Sequence, residues 1–402
     1  MSLSKRPICH RFRLLWLFAI YLCCTVSLSA QQLSDQVKIS LLTCGQGDEL
    51  YSLFGHTAIR VVDRVNGIDR IYNYGTFDPG QSFFYWKFLM GSLEYELSVT
   101  NFTAFYEEYT SENRSIYEQE LNFPAGLLDR IYDSLEINAL PENRGYKYDF
   151  FEDNCTTRAF GLIYKLAGDA RFDDFFNHPT DLTYRKELRQ YTQHRPWLQL
   201  GINLLLGRYS DSKISNLQGF FLPANLMNGM AKTDWTGEPK LLFEGQAQPA
   251  KTGSIFNPMV AMWLLAMLFA SEILFLRTNR RTSAWVDMFI FTFTGIPGLL
   301  ILLLRLFSDH PSLQSNLNIM WANPLNLLFV FFLFKDWNLP ARIYMIFYAA
   351  LLSFLLVTWS RIPQQVPLEI MPVLFLLAFR SLQRVFVFVE KPEKTNKQQS
   401  DL

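Results

Sequence analysis

A histidine that opens one apolar segment and a cysteine that opens another are the residues of this chain best suited to covalent chemistry. His56 follows Gly55, which lacks a side chain and permits close approach. It begins the alternating run His56–Val62, with His56, Ala58, Arg60 and Val62 on one face and Thr57, Ile59 and Val61 on the other. Cys155 follows Asp153-Asn154, residues that cap helices, and begins an amphipathic run to Leu166 that Gly168 closes. A thiol at a helix start feels unpaired backbone N–H groups and the positive end of the helix dipole, and both stabilise its thiolate. To be a good nucleophile near neutral pH it also needs an imidazole within reach, and the imidazole needs an orienting partner. A turn at Asn66-Gly67 returns Asn73 close to the register of His56, so Asn73 is the expected orienter, with Asp78 and Asp48 as substitutes. The chemistry expected is attack of Cys155 on a carbonyl, with His56 shuttling the proton and helix-start amides binding the oxyanion.

A structural reading competes with this one. Cys9, Cys23 and Cys24 fall in an N-terminal leader, so the exported part keeps only Cys44 and Cys155, which in an oxidising compartment can form one disulfide. Arg60 shares the His56 face and is a candidate to bind a substrate carboxylate, although a solvated salt bridge is the commoner fate of such a residue. Asp48-Glu49 lacks accompanying metal-ligand spacing, so no metal and no cofactor are expected. His178 and His194 stand in polar sequence and read as solvated. The many Tyr and Phe residues between 72 and 109 read as core and groove lining.

The elements that must position these residues divide the chain in two. Lys5, Arg6, Arg11 and Arg13 precede an apolar run from Leu14 to Val26 and the small residues before Gln31, which reads as a secretory signal cut after Ala30 (or Ser29), an uncleaved anchor being the alternative. Residues 31–231 have the length of one globular domain. Its expected elements are a strand at Val37–Leu42 running into a Cys44–Gly47 turn, the hairpin of His56–Val62 and Arg70–Tyr74, and helices at Pro124–Asn138, Cys155–Leu166 and Asp181–Gln193. Residues 232–257, rich in Gly, Pro, Gln and Lys, read as a linker.

Residues 258–389 then carry five apolar segments: Pro258–Leu276, Trp285–Leu304, Leu317–Phe334, Ile343–Trp359 and Val366–Phe379. The first four approach the roughly 20 residues that span a bilayer. Arg277, Arg280 and Arg281 follow the first, Lys335 and Arg342 the third, and Arg384, Lys391, Lys394 and Lys397 the fifth, while the loops after the second and fourth hold only Arg361. This alternation places everything before residue 258 outside the cytoplasm and the tail, 390–402, inside it. The mean hydropathy of +0.06 averages these unlike halves. A formal net charge of zero gives no reason to expect nucleic acid as a partner.

Several stretches resemble a family. Leu41–Gly45 (LLTCG), Asp48–Val61 (DELYSLFGHTAIRV), Tyr72–Phe77 (YNYGTF), Pro141–Arg144 (PENR) and Tyr148–Arg158 (YDFFEDNCTTR) resemble the Lnb-type bacterial membrane proteins, and Asp309–Pro311 and Trp321–Leu325 (WANPL) resemble motifs of their membrane domain. The resemblance implies a periplasmic domain followed by a transmembrane domain. A fainter one, in the order strand His, polar residue on the next strand, then Asn-Cys at a later helix start, is to circularly permuted papain-like enzymes such as permuted NlpC-type hydrolases and lecithin:retinol acyltransferase-like proteins. It implies an α+β periplasmic domain with His56 as base, Asn73 as orienter and Cys155 as nucleophile. Many relatives carry His or an acid where this chain has Asn73; Asn fixes the ring tautomer but has no charge to offset an imidazolium.

The expected function is that of a membrane-anchored cysteine hydrolase or acyl or peptidyl transferase acting on an amide or ester of the cell envelope. Its partners would be inner-membrane lipids and an envelope peptide, lipoprotein or lipid. Asp309 and His310, in a short loop on the exported side, either complete the periplasmic site or hold lipid head groups, and stand with Arg60 as substrate-binding candidates. A non-catalytic envelope-assembly or binding protein is the alternative, and a transporter-like membrane domain a third. Glu272, Asn318, Asn323, Asn326 and Glu369, polar groups in or near the spans, are either functional or helix–helix contacts.

Overall fold

The computed structural model describes residues 33–78, 80–168, 176–246, 257–275, 280–335 and 338–389. The expected leader, residues 247–256 of the expected linker and the expected tail lie outside the described residues.

Among the described residues, seven strands form one antiparallel sheet: β1 (Lys38–Cys44), β2 (His56–Asp63), β3 (Ile68–Thr76), β4 (Glu94–Asn101), β5 (Ile116–Glu120), β6 (Gly145–Lys147) and, beyond a separate two-stranded ladder of β7 (Pro179–Thr183) and β8 (Lys213–Ser215), β9 (Lys240–Phe243). Their spatial order is β6-β4-β3-β2-β1-β5-β9. β1 is near the centre and buried along most of its length. On one face Ile39, Leu41, Ile59, Val61, Tyr72 and Tyr74 pack against helices Ala125–Ala139 and Cys155–Ala167 through Ile131, Leu135, Ala159, Phe160 and Ile163. On the other, Leu42, Cys44, Ala58 and Ile71 pack against Phe105 and Tyr109 of helix Phe102–Ser111. The alternation along β2 thus sends its two residue sets into two different cores.

The β2–β3 hairpin turns over Arg64–Gly67, with Asp63 paired to Ile68. The Asp63 carboxylate closes the turn by accepting from the Val65 N–H at 3.1 Å and the Asn66 side chain at 2.8 Å. Three local expectations are corrected. Cys44 is not in a turn but ends β1, opposite both His56 and Ile116. Asp181–Gln193 is not all helix: β7 runs to Thr183, whose hydroxyl then caps helix Tyr184–Thr192 by accepting from the Lys186 N–H. The stretch read as a linker contributes β9, because Leu241-Leu242-Phe243 is an apolar patch in polar surroundings and completes the sheet edge against β5.

The helical region comprises helices Pro258–Phe275, Arg280–Phe307, Leu325–Phe334, Asn338–Thr358 and Met371–Val389, with short turns between. Among the described residues two helices, Ala284–Phe307 and Leu339–Arg361, are long and apolar enough to cross a membrane, and a third counts if the bent pair Pro311–Met320 and Leu325–Phe334 is one span. The expected span Leu317–Phe334 is therefore broken. It turns by 42° at Trp321-Ala322-Asn323-Pro324, where the Asn323 side chain accepts from the Leu325 N–H and starts a new helix. Gly298 faces this break: a Cβ there would lie 2.0 Å from the Ala322 carbonyl oxygen. The last helix begins at Met371 rather than Val366, after Pro367 and a turn at Leu368–Ile370.

Several polar residues of this region are bonded within it. Asn326 donates to Thr294 at 2.9 Å and accepts from Tyr344 at 2.5 Å, and Asn318 accepts from the Trp321 indole at 3.0 Å. Glu369 lies half-buried in the turn before the last helix, while the Glu272 side chain lies outside the described residues. Asp287 is fully buried between Arg380 and Arg384 and binds both guanidinium groups. Replacing Asp287 by Asn would leave two buried cations short of their counter-charge. The Asp287→Asn protein in detergent is expected to lose about 3–5 kcal/mol of stability, read as a lowered midpoint of thermal unfolding.

The two regions meet through backbone carbonyls and side-chain amides. The last turn of helix Pro196–Leu205 offers its unpaired carbonyls: Asn316 donates to Leu204 and Leu205 at 2.7 and 2.9 Å, Asn318 to Leu204 at 3.0 Å, and Gln364 to Leu206 at 3.3 Å. The Gly207 N–H donates to Ser312 at 2.7 Å and the Arg208 N–H to Ser315 at 2.9 Å. The helical region thus completes the hydrogen bonding of a helix end belonging to the sheet region.

Candidate active site

Helix Cys155–Ala167 begins where it does because Asn154 and Thr157 form a reciprocal cap. The Asn154 Oδ1 accepts from the Thr156 and Thr157 N–H groups at 2.8 and 2.9 Å, and Thr157 Oγ1 accepts from the Asn154 N–H at 2.7 Å. The other end of the Asn154 amide donates to the carbonyls of Phe150 and Phe221 at 2.8 and 2.9 Å. The sequence marks Asn154 only as a cap; in the fold it also ties the preceding loop and a distant segment to the helix start.

This helix start meets the first residue of β2. The His56 imidazole lies beside the Cys155 thiol, close enough for each to shift the other's charge, and its Nε2 pairs with Asn73 Oδ1. The amide oxygen only accepts, so Nε2 carries a proton and Nδ1 remains for the sulfur. Thr156 Oγ1 lies 3.7 Å from the sulfur, and the nearby Thr57 backbone N–H also favours its charged form. Burial pushes the Cys155 thiol up, but the His56 charge, with Thr57 and Thr156, outweighs it and brings the thiol from 9.0 down to about 7. Burial lowers the His56 value in turn, and Cys155 and Asn73 more than restore it, so that it ends raised. The pair is poised to exist as thiolate and imidazolium. Tyr109 stacks on the imidazole with ring centroids 6.0 Å apart.

The disulfide alternative fails: Cys44 and Cys155 are both free. Burial raises the Cys44 thiol far above its ordinary value, which keeps it protonated and inert in the core.

Two residues of the site were not singled out from sequence. Gly75, in the bulged part of β3, has φ +86°, and a Cβ there would stand 3.2 Å from Cys155 Cβ and 3.8 Å from Tyr146 Oη. Its absent side chain is the space beside the thiol, and a glycine inside the strand-like YNYGTF was the available signal. Tyr146 lines the same space. Its hydroxyl is buried and has no hydrogen-bond partner among the described residues, and the Arg158 guanidinium lies 3.5 Å over its ring. No local pattern distinguishes this Tyr from its many aromatic neighbours. At the helix start the Asn154 carboxamide occupies the Thr156 and Thr157 N–H groups, so the expected set of amide donors reduces to that of Cys155 itself.

The other candidates lie elsewhere. Arg60 makes a two-pronged bond to Asp69 at 2.7 and 2.8 Å, reaches Glu118 at 3.2 Å and covers the Phe102 ring, so it is part of a surface cluster and not beside the thiol. Asp78 is exposed and accepts from the Gly80 N–H, and Asp48 pairs with Arg195, leaving Asn73 as the orienter. His178 and His194 are exposed. Among the described residues no group of three or more His, Cys, Asp or Glu side chains is placed to hold a metal ion.

Asp309 and His310 contact the sheet region and not a free pocket. Asp309 pairs with Lys147 at 2.8 Å. His310 is buried, with Nε2 2.7 Å from the Phe88 carbonyl oxygen and Nδ1 2.9 Å from Asp149 Oδ2. Both partners are acceptors, so both ring nitrogens carry protons and the ring is an imidazolium. Burial disfavours that charge, but the bonds to Asp149 and Phe88 outweigh it and raise the His310 value.

Two family models match the chain: the Lnb N-terminal periplasmic domain over residues 27–190 and the Lnb transmembrane domain over residues 250–392. The chain belongs to the Lnb-type family. Its sheet region is the periplasmic domain and holds His56, Asn73 and Cys155; its transmembrane domain holds Asp309 and His310. No curated protein and no solved structure matches the chain.

Two outcomes follow from the geometry of this Lnb-type site. In the His56→Ala protein the thiol keeps its burial and loses its cation, so the pH at half-maximal iodoacetamide alkylation of Cys155 rises from about 7 to 9.0 or above. Gly75→Ala forces a Cβ against Cys155 at a positive φ. It is expected to cost about 1–3 kcal/mol of backbone strain and to slow alkylation of Cys155 about tenfold or more, read by mass spectrometry of the Cys155 peptide.

Proposed function

We propose that this protein is a multi-pass inner-membrane enzyme whose periplasmic thiol transfers an acyl or peptidyl group from an envelope ester or amide, with five spans and a cytoplasmic C-terminus. The observation that carries the reading is the His56–Cys155 pair, with a thiol value near 7 and Asn73 behind the ring. Loop charges support the orientation: Lys335 and Arg342 fall on the side away from the catalytic domain.

In this reading the Cys155 thiolate attacks the substrate carbonyl and forms a tetrahedral oxyanion, which the Cys155 N–H and the Tyr146 hydroxyl stabilise. The oxyanion collapses, the C–O or C–N bond to the leaving group breaks, and the His56 imidazolium protonates the departing oxygen or nitrogen. A thioester remains on Cys155. His56, now neutral, takes a proton from an incoming amine, hydroxyl or water, which attacks the thioester and releases the thiolate. Asn73 holds the ring in the required tautomer, and the thiolate itself offsets the imidazolium charge in the resting pair.

Transfer is favoured over hydrolysis by the aromatic surroundings of the sulfur. Tyr95, Tyr146 and Tyr148 lie near it, with Tyr95 stacked on Tyr148 at 4.2 Å. Phe77 packs on Tyr95 and on Phe84 at 5.2 and 5.0 Å, continuing the aromatic wall to the exposed Phe83, Tyr85 and Trp86. Such a wall limits water at a thioester and suits an apolar or membrane-borne donor.

The test is to incubate the full-length protein in detergent with bacterial envelope extract and measure the intact mass. A hydroxylamine-sensitive adduct on Cys155, missing in Cys155→Ser, is expected. An adduct-free parent, together with full cellular function of Cys155→Ser, would sink the proposal in favour of a non-catalytic envelope-assembly or binding role. Tyr146→Phe is expected to leave alkylation of Cys155 unchanged while lowering turnover about 100-fold.

A further inference from the structure

The loop that delivers Cys155 is held from the transmembrane domain. Asp149 Oδ1 accepts from the Phe151 and Glu152 N–H groups, both at 2.9 Å, and the Asp149 and Asp153 backbones exchange hydrogen bonds at 3.2 and 3.0 Å, closing the loop on itself. Its Phe150 carbonyl receives the Asn154 side chain, whose oxygen caps the helix start at Thr156 and Thr157. The remaining carboxylate oxygen of Asp149 is bonded to His310, 161 residues later in the chain. The same ring holds the Phe88 carbonyl, and the Phe88 ring lies between His310, at 5.9 Å, and Tyr148, at 6.3 Å. His310 is itself fixed: its N–H donates to Ser308 Oγ, and that hydroxyl donates to the Leu89 carbonyl at 2.7 Å. Its ring therefore joins the entry to the nucleophile helix and the helix Phe84–Met90 beside the aromatic wall.

We propose that His310 is a positioning residue for Cys155, acting through Asp149, so that the transmembrane domain is a working part of the reaction centre and not only its anchor. The bond is largely shielded from solvent and connects two groups that each hold backbone in place, whereas the neighbouring Lys147–Asp309 pair is exposed on both sides. Losing the His310 contact frees Asp149 Oδ2 and lets the 149–153 loop move, and with it the cap that sets the direction of the thiol toward His56. An arrangement of this kind couples any displacement of the 308–318 segment to the reactivity of a sulfur it never touches.

The inference rests on the thiol reading above, and the experiment separates the two. Full-length protein in lipid nanodiscs is treated with iodoacetamide across pH, and alkylation of the Cys155 peptide is quantified for the parent, His56→Ala, His310→Gln, Asp149→Asn, the Asp149/His310 double variant and Lys147→Ala. Thermal unfolding identifies the variants that remain folded. Expected are a drop of about tenfold in the alkylation rate at pH 7 and an upward shift of its pH midpoint for His310→Gln and for Asp149→Asn, with no further loss in the double variant. Lys147→Ala, which cuts only the exposed pair, should behave as the parent. A His56-dependent parent profile that folded His310→Gln and Asp149→Asn both reproduce would overturn the positioning role and leave the thiol reading standing. A parent profile indifferent to His56→Ala would overturn both. If His310→Gln does not fold, Asp149→Asn alone decides, since Asn keeps an oxygen for the loop amides and loses the charge that faces the ring.

Discussion

The proposed chemistry depends on one partly buried pair, the Cys155 thiol and the His56 imidazole, each of which favours the charged form of the other. Neither ion is stable alone where it stands. Burial pushes the Cys155 thiol up and the His56 ring down, toward their neutral forms, and their mutual attraction, helped by Thr57 and Thr156 at the sulfur and Asn73 at the ring, reverses both tendencies. Cys155 is helped further by its place at the first residue of a helix, the end at which backbone N–H groups point outward. The tight cap at Asn154 keeps the helix start from fraying.

The arrangement also explains why the second cysteine is harmless. Cys44 ends β1 directly opposite His56, yet its side chain enters the core beneath helix Phe102–Ser111, and burial without a hydrogen-bonded cation leaves it a thiol. The two cysteines therefore shift in opposite directions: the His56 ring outweighs burial at Cys155, whereas the more distant charge of Arg114 does not at Cys44. Tyr109, stacked on His56, separates the imidazole from bulk water on that side and makes the low-dielectric setting in which the ion pair is strong.

The transmembrane domain contributes more than hydrophobic length. Its broken segment around Trp321–Pro324 presents Asn316 and Asn318 to the open end of helix Pro196–Leu205, and the loop before it places His310 against Asp149. The asparagine contacts give donors to carbonyls that the helix end leaves unpaired, so one domain completes the hydrogen bonding of the other. The same polar residues that look costly within an apolar sequence are bonded once the chain folds, Asn326 to Thr294 and Tyr344 being the deepest case.

What the sequence alone determined is what nearest neighbours control. The alternation of β2, the return at Asn66-Gly67, the Asn154 cap and the apolar segments are local patterns, and from them His56, Asn73 and Cys155 could be named as one constellation. The break of the third apolar segment, the addition of Lys240–Phe243 to the sheet, the space kept open by Gly75 and the orphaned hydroxyl of Tyr146 were decided by tertiary structure. So were the engagement of Arg60 with Asp69 and Glu118 and of His310 with Asp149. The physical reason is the range of the forces involved: capping and periodicity act over a few residues, whereas an ion pair, a sheet edge or a buried donor has no meaning until distant segments exclude water together.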